Sequence, residues 1–300
     1  MNIEDLHAFL YVANHRSFSL AAAQLHLTQP AVSKRIAALE SQLNAQLFDR
    51  IGRQISLTEA GRALEQHARR ILAEVEDSRR AIRNLSGTVS GPLKIASSHH
   101  ISLHRLPPIL RRYIHEYPEV QLDLRFMDSE LASRAVEQGE LELALVTLPP
   151  VESTSLTLVE VWTDRLVLVA SAGHPLRKEP QITPAILARH PAILPARGTY
   201  TRTLIDAKLA ERQLEIKMET HYLETIKMMV SVGLGWSLLP ENMLPKKTDP
   251  EKTDPDKEDK EELRLTQGSH ILVQRKLGIV HHPRRTLSNA ARAFIELTTA

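Results

Sequence analysis

The chain has no cysteine among its 300 residues. That excludes disulfides, a thiolate metal site and a cysteine nucleophile. It has no apolar run near the roughly 20 residues that a membrane-spanning helix needs. Its opening, MNIEDLHAFL, lacks a basic region followed by an apolar stretch and does not read as a signal peptide. A soluble, cytoplasmic chain with no membrane partner is expected. A charge of one sign is also missing, since 38 Lys and Arg stand against 36 Asp and Glu. No activated nucleophile, acid/base pair or cofactor loop stands out, so neither an enzyme nor a cofactor is expected. Gly233 and Gly235 follow a helical stretch and lead into a strand-like one, the reverse of a dinucleotide loop. What remains is a 42% hydrophobic chain, long enough for two or three compact units.

The informative stretch is FSLAAAQLHLTQPAVSKRIAALE, residues 18–40. Ser19 is placed to cap a helix through Leu25, and alanine is the best helix former. His26 and Leu27 make a short connection. Thr28 is a second cap, with Pro30 in the first turn, where a missing N–H costs nothing. Helical spacing puts Val32, Ile36 and Leu39 on one face and turns Ser33, Lys34 and Arg35 largely away from it. Two short helices joined by a tight turn form a helix-turn-helix, whose second helix can reach base edges in the major groove. Ahead, Leu6, Phe9, Leu10 and Val12 form the apolar stripe of a first helix. Behind, Leu47-Phe48 and Ile55-Leu57 read as short strands around a turn at Gly52, with Arg50 and Arg53 on it. This is a winged helix-turn-helix, mostly α with a β-wing. Over residues 1–60 five basic residues balance five acidic ones, but from Ser33 to Arg53 four basic residues face two acidic ones. One copy should bind DNA modestly, so dimerisation must multiply the contacts.

FSLAAAQLHLTQPAVSKRIAALESQLNAQLFDRIGRQISLTEAG closely resembles the N-terminal pattern of the LysR-type transcriptional regulators. The resemblance implies a cytoplasmic bacterial regulator, dimeric or tetrameric, on a double-stranded DNA operator of dyad symmetry. It further implies response to a small coinducer, with RNA polymerase as a further partner. Carried over by position, Gln29, Pro30, Ala31, Ser33, Lys34 and Arg35 would enter the major groove. Thr28 would contact phosphate, and Arg53 would be the wing residue.

After Thr58 one long helix is expected. Leu64, Ala68, Ile71, Val75, Ser78, Ile82 and Leu85 recur at alternating steps of four and three, a heptad seam. At about 1.5 Å per residue the helix would reach roughly 40 Å. A partner helix is the favoured use of the seam, and packing against its own domain is the alternative. The resemblance agrees that this is a dimerising linker. SGTVSGP then ends it. The expected division is residues 1–58 for DNA, 59–88 for the linker and 89–300 for an effector domain.

From Leu93 strands and helices alternate, which implies α/β layers with mainly parallel sheets. The length suits two lobes, and the resemblance implies a periplasmic-binding-protein-like arrangement crossed twice by the chain. We place the crossings near Thr163–Arg165 and Leu263–Ser269. Lobe one would hold residues 93–163 and 269–300, lobe two 164–268. HILVQ and LGIVHH are read as two separate strands.

Ligands in such folds sit at strand C-termini, where helix N-termini offer N–H groups to anions. The strand ends supply SSHH with Ser98, His99 and His100, then Thr147, then RGTYTRT with Thr199, Thr201 and Arg202, then HYLET with Tyr222. Hydroxyls, a basic group and helix starts suit a small carboxylate or other oxyanion, although each hydroxyl taken alone is more readily a cap. The resemblance implies that Ser98, His100, Thr147, Thr199 and Thr201 line the effector cleft. His100 and His104 are four apart, with His99 adjacent and His281-His282 further on. At that spacing two imidazoles can share zinc, but no carboxylate or cysteine completes the set, so no metal is expected.

KKTDPEKTDPDKEDKEE, residues 246–262, has no apolar residue and contains five lysines and eight acidic residues. It cannot bury surface and should be a disordered or extended loop. These features point to a DNA-binding regulator gated by a small anionic ligand. The alternatives are an architectural DNA binder or repressor without effector, or a solute-binding module.

Overall fold

The computed structural model describes the chain except residues 52–53, 152, 210–213, 245–262 and 266–270, and the side chains of 50 and 51. The charged run at 246–262 and the wing residue Arg53 lie outside the described residues. The chain forms two compact units. The first is Met1–Gly87 with Gln138–Glu140 and Arg285–Ser288, and the second holds the rest.

In the first unit α1 (Ile3–His15) starts with a capping box between Asn2 and Asp5. Helix α2 (Phe18–Gln24) is capped by Ser17, whose hydroxyl accepts from Leu20 N at 3.2 Å. The expected cap, Ser19, lies inside the helix, because Phe18 is itself helical and buried against Phe48. Helix α3 (Gln29–Leu43) is capped by Thr28 and has Pro30 in its first turn, as expected. Ala21 and Ala22 are buried beside Val32, Ile36 and Leu39, so methyl-sized side chains let the two helices approach. Strands β1 (Phe48–Ile51) and β2 (Gln54–Leu57) pair antiparallel. The Glu40 carboxylate accepts from Leu47 N at 2.8 Å and fastens α3 to the hairpin.

Helix α4 (Glu59–Asn84) follows. Its seam divides. Ala68 is buried in the domain core and Leu64 packs against that core. Farther along, Ile82 is 69% and Leu85 85% exposed.

The second unit carries strands β3 (Gly91–Ser97), β4 (Val120–Phe126), β5 (Leu143–Thr147), β6 (Thr157–Val169), β7 (Ala192–Pro195), β8 (Ile216–Thr220), β9 (Ser237–Pro240) and β10 (Val273–His281). Its helices are α5 (His99–His104), α6 (Leu106–Glu116), α7 (Ser129–Gln138), α8 (Pro184–Leu187), α9 (Tyr200–Leu209), α10 (Leu223–Ser231) and α11 (Asn289–Thr299). One sheet runs β4-β3-β5-β10-β6-β9, and β7 pairs with β8. Pairing is parallel within β4-β3-β5 and within β7-β8, but antiparallel wherever β6 or β10 takes part. The expectation of mainly parallel sheets therefore holds only for β4-β3-β5 and β7-β8, because two long strands run between the lobes in opposite directions.

Lobe one packs Ala96, Val136, Val146, Leu156 and Val280 together. Lobe two packs Leu166, Leu168, Ile205, Trp236 and Val273. The change from one core to the other thus falls inside β6 and inside β10. The first expected crossing, Thr163–Arg165, lies in β6. The second is displaced from Leu263–Ser269 into β10, since Leu265, Ile271 and Val273 all belong to the lobe-two core. HILVQ and LGIVHH accordingly contribute to one strand, not two. The register shifts between Leu277 and Gly278, where a Cβ on Gly278 would lie 2.0 Å from Val159 O. Only glycine lets the crossing strands approach so closely there.

Candidate nucleic-acid interface and effector cleft

In the first unit the opening turn of α3 presents its polar side outward. Thr28, Gln29, Pro30 and Lys34 are exposed, and Ala31, Ser33 and Arg35 are half-buried. The Thr28 hydroxyl accepts from Ala31 N at 3.4 Å. Gln29 Nε2 donates to Ser33 Oγ at 2.9 Å, one turn along the same face. Arg35 pairs with Glu4 at 2.7 Å. Such a surface pair is worth about 0–1 kcal/mol and is easily exchanged for a phosphate.

In the second unit a cavity of about 50 Å³ lies between the lobes. One water takes about 10–15 Å³ on that measure, so the space suits a ligand of a few heavy atoms. Ser98, His99, His100, Thr147, Thr199 and Thr201 all line it. Two expected residues do not. Arg202 is 4% exposed and is committed to Asp206 at 2.7 Å, Glu219 at 3.0 Å and Pro195 O at 3.1 Å, so it braces α9 against β7 and β8. Tyr222 stands half exposed, edge-on to the His99 ring at 5.0 Å.

The sequence did not suggest the centre of this site. Arg275, from β10, lines the cavity and is 2% exposed. Its Nη2 donates to Asp164 Oδ2 at 2.9 Å and its Nη1 to Thr201 Oγ1 at 3.2 Å, while its Nε has no partner. Asp164 also accepts from Arg105 at 2.9 Å and meets His100 Nε2 at 3.1 Å. Burial alone would raise the Asp164 carboxyl, but the His100 hydrogen bond and the two guanidinium groups hold it well below the carboxylate range. Charged pairs inside strands that continue as apolar runs, TDRLVLV and VQRKLGIV, were the signal available.

Three further carboxylates stand nearby, each with a partner. Asp128 pairs with His221 at 2.9 Å, and Glu130 accepts the Tyr200 N–H at the start of α9. Glu224, in the first turn of α10, meets His104 Nε2 at 2.9 Å. Burial alone would raise Glu224, yet the nearby His100 and His104 imidazoles and its own backbone N–H bring it down to about 2. The carboxylate that the sequence seemed to deny the histidine pair is therefore present, supplied by a helix of the other lobe. Among the described residues no helix is long and apolar enough to cross a membrane.

Comparison with known proteins identifies both units. Residues 3–62 match the family described as bacterial regulatory helix-turn-helix protein, lysR family, and residues 86–300 match the LysR substrate binding domain. An uncharacterized HTH-type transcriptional regulator of Escherichia coli K12, YeiE, is 31% identical over 304 residues, 99% of this chain and 96% of its own. A probable RuBisCO transcriptional regulator of Cyanophora paradoxa is 30% identical over 302 residues, 98% of this chain and 90% of its own. Among solved structures, a full-length OxyR variant from Pseudomonas aeruginosa superposes with a TM-score of 0.67 at 22% identity, covering 100% of this chain and 93% of that one. Full-length CbnR complexed with its target DNA superposes at 0.60 and 20% identity, covering 100% and 99%. With a helix-turn-helix in one unit and a two-lobed ligand cleft in the other, this chain belongs to the LysR family of DNA-binding transcriptional regulators, which carry an effector-binding domain.

Proposed function

We propose that the chain acts in the cytoplasm as a dimer or tetramer on a dyad-symmetric operator, and that a small oxyanion in the cleft controls it. Residues 1–58 serve DNA, 59–88 dimerisation and 89–300 the effector. The observation that carries the DNA role is the exposed first turn of α3. There Gln29 and Ser33 share one face and Lys34 stands free of any ion pair among the described residues. Gln29 reads a base edge, Pro30 and Ala31 make apolar contact, Ser33, Lys34 and Arg35 complete the groove contacts, and Thr28 touches phosphate.

An oxyanion suits the cleft because its carboxylates already have partners, whereas Ser98, Thr147, Thr199 and Thr201 bring hydroxyls and Arg275, paired with Asp164 through Nη2, brings an Nε–H without a partner. His99 and His100 add ring nitrogens. The ligand shifts the balance between two lobe arrangements, and so the spacing of paired DNA-binding units and any contact with RNA polymerase.

The test is an unbiased selection of genomic fragments by the purified chain, followed by sequencing. Recovery of a dyad-symmetric site supports the reading, and genes beside it nominate oxyanions to try. Salt-sensitive retention with no enriched sequence would leave a general DNA binder and sink the operator reading.

A further inference from the structure

His104 and Glu224, at the edge of the cleft, are used neither by DNA binding nor by the oxyanion pocket, and His100, which lines that pocket, stands beside them. His100 and His104 lie four residues apart on α5, so their rings leave the same side of the helix, with centroids 4.7 Å apart. Glu224 reaches both from α10. Its Oε1 is 2.9 Å from His104 Nε2 and 3.8 Å from His100 Nδ1. One ligand atom from each residue lies within 4.8 Å of the other two. Ligands about 2.0–2.2 Å from a tetrahedral zinc are roughly 3.3–3.6 Å apart, so small side-chain rotations would close the set.

The tautomer of His100 separates this cluster from an ordinary polar patch. Its Nε2 faces Asp164, and an ionised carboxylate only accepts. The ring proton therefore sits on Nε2, and in the neutral ring Nδ1 carries a lone pair. His100 is 6% exposed, and its Nδ1 is buried without a hydrogen-bond partner. Glu224 Oε2 is likewise buried and unpartnered. The Nδ1 lone pair faces the other oxygen, Oε1, at 3.8 Å, beyond hydrogen-bond reach, and two acceptors so placed cost free energy unless a cation stands between them.

We infer that His100 Nδ1, His104 Nε2 and the Glu224 carboxylate bind a divalent transition-metal ion, with zinc the best match, leaving a fourth position open. Two imidazoles and one carboxylate are a zinc donor set, and Asp164 is the outer carboxylate that orients a ligating histidine. The ligands come from α5 in lobe one and α10 in lobe two. The ion would therefore tie together the two lobes whose arrangement shapes the cavity. The site goes beyond the operator and oxyanion reading and does not depend on it, because metal binding is measured without DNA or effector.

The test uses the tag-free full-length chain, stripped with a chelator and titrated with cobalt(II), with zinc as competitor. The expected result is one cobalt per chain with visible bands of a low-coordinate ion, displaced by zinc. His104→Ala and Glu224→Gln should each abolish the bands or weaken binding at least about tenfold, and Asp164→Asn should weaken it about 10–100-fold. His115→Ala, on the exposed side of α6, should change nothing. Circular dichroism of each metal-free variant establishes that it is folded. No stoichiometric binding at micromolar zinc would overturn the proposal. So would binding that survives both His104→Ala and Glu224→Gln, or zinc-independent nitrogen-15 histidine signals showing His100 doubly protonated at neutral pH.

Discussion

Arg275 and Asp164 face each other on the paired crossing strands, 2.9 Å apart and each 2% exposed. Their ion pair lies where β6 and β10 leave one core for the other. Breaking a buried pair from one side strands the other charge, at a cost of about 3–5 kcal/mol. Asp164→Ala should therefore lower the unfolding free energy of the second unit by that amount, read from urea denaturation. Replacing both partners with apolar residues should recover only part of the loss, because Arg105 and His100 have lost the same acceptor. Full recovery would mean that the Arg275 charge alone sets the cost.

Gly61 stands in the first turn of α4, where a Cβ would lie 2.2 Å from Leu47 O. The neighbour is backbone and cannot rotate away. Gly61→Ala should destabilise the DNA-binding unit by about 1–3 kcal/mol, the usual range for overpacking. The check is the thermal midpoint of the helix-turn-helix signal, and an unchanged midpoint would show that α4 can lift from β1 at no cost.

How much of this was legible in the sequence depended on distance along the chain. The helix-turn-helix could be read because its signals are local: Thr28, Pro30 and the buried alanines lie within a dozen residues of one another. Even there the cap expected at Ser19 falls on Ser17, because the burial of Phe18, a tertiary event, draws Phe18 into the helix. The cleft hydroxyls could be read because each lies at a strand end or at the helix start that follows one. Arg275 and Asp164 could not, since a charge inside a strand looks like a break until its partner on another strand is known. Glu224 was hidden for the same reason, lying 120 residues from His104.

Acid should act on the same cluster. Glu224 is lowered from 4.5 to about 2, and Asp164 is lowered further. A depressed carboxyl contributes stability that is fully present above its unfolded value and is lost as pH falls toward its folded value. In chelator, the second unit should lose stability between about pH 4.5 and 2, with the Asp164 part fading last. Urea midpoints across this range give the slope, and Glu224→Gln should flatten its upper part. An identical slope in that variant would remove Glu224 from the account.

The exposed end of the linker seam gives a further test. Ile82 and Leu85 stand largely open on α4, whereas Ala68 is buried in its own domain. If a second copy covers them, Ile82→Ser with Leu85→Ser should shift the chain toward smaller assemblies in light scattering while leaving the thermal midpoint of the helix-turn-helix signal in place. Unchanged mass would place the interface elsewhere on the chain.

Gln29 and Lys34 sit on the same turn of α3 but should fail differently. A glutamine amide that reads a base edge contributes only on the right sequence, about 1–3 kcal/mol of discrimination. An ammonium on phosphate contributes on every sequence and through released counterions. Gln29→Ala should therefore narrow the gap between operator and random DNA while leaving random binding nearly unchanged. Lys34→Ala should weaken both together and reduce the slope of log affinity against log salt by about one. Both follow from one salt series on two duplexes for each variant. Equal losses on both duplexes for Gln29→Ala would reassign Gln29 to holding Ser33 in place through their 2.9 Å hydrogen bond.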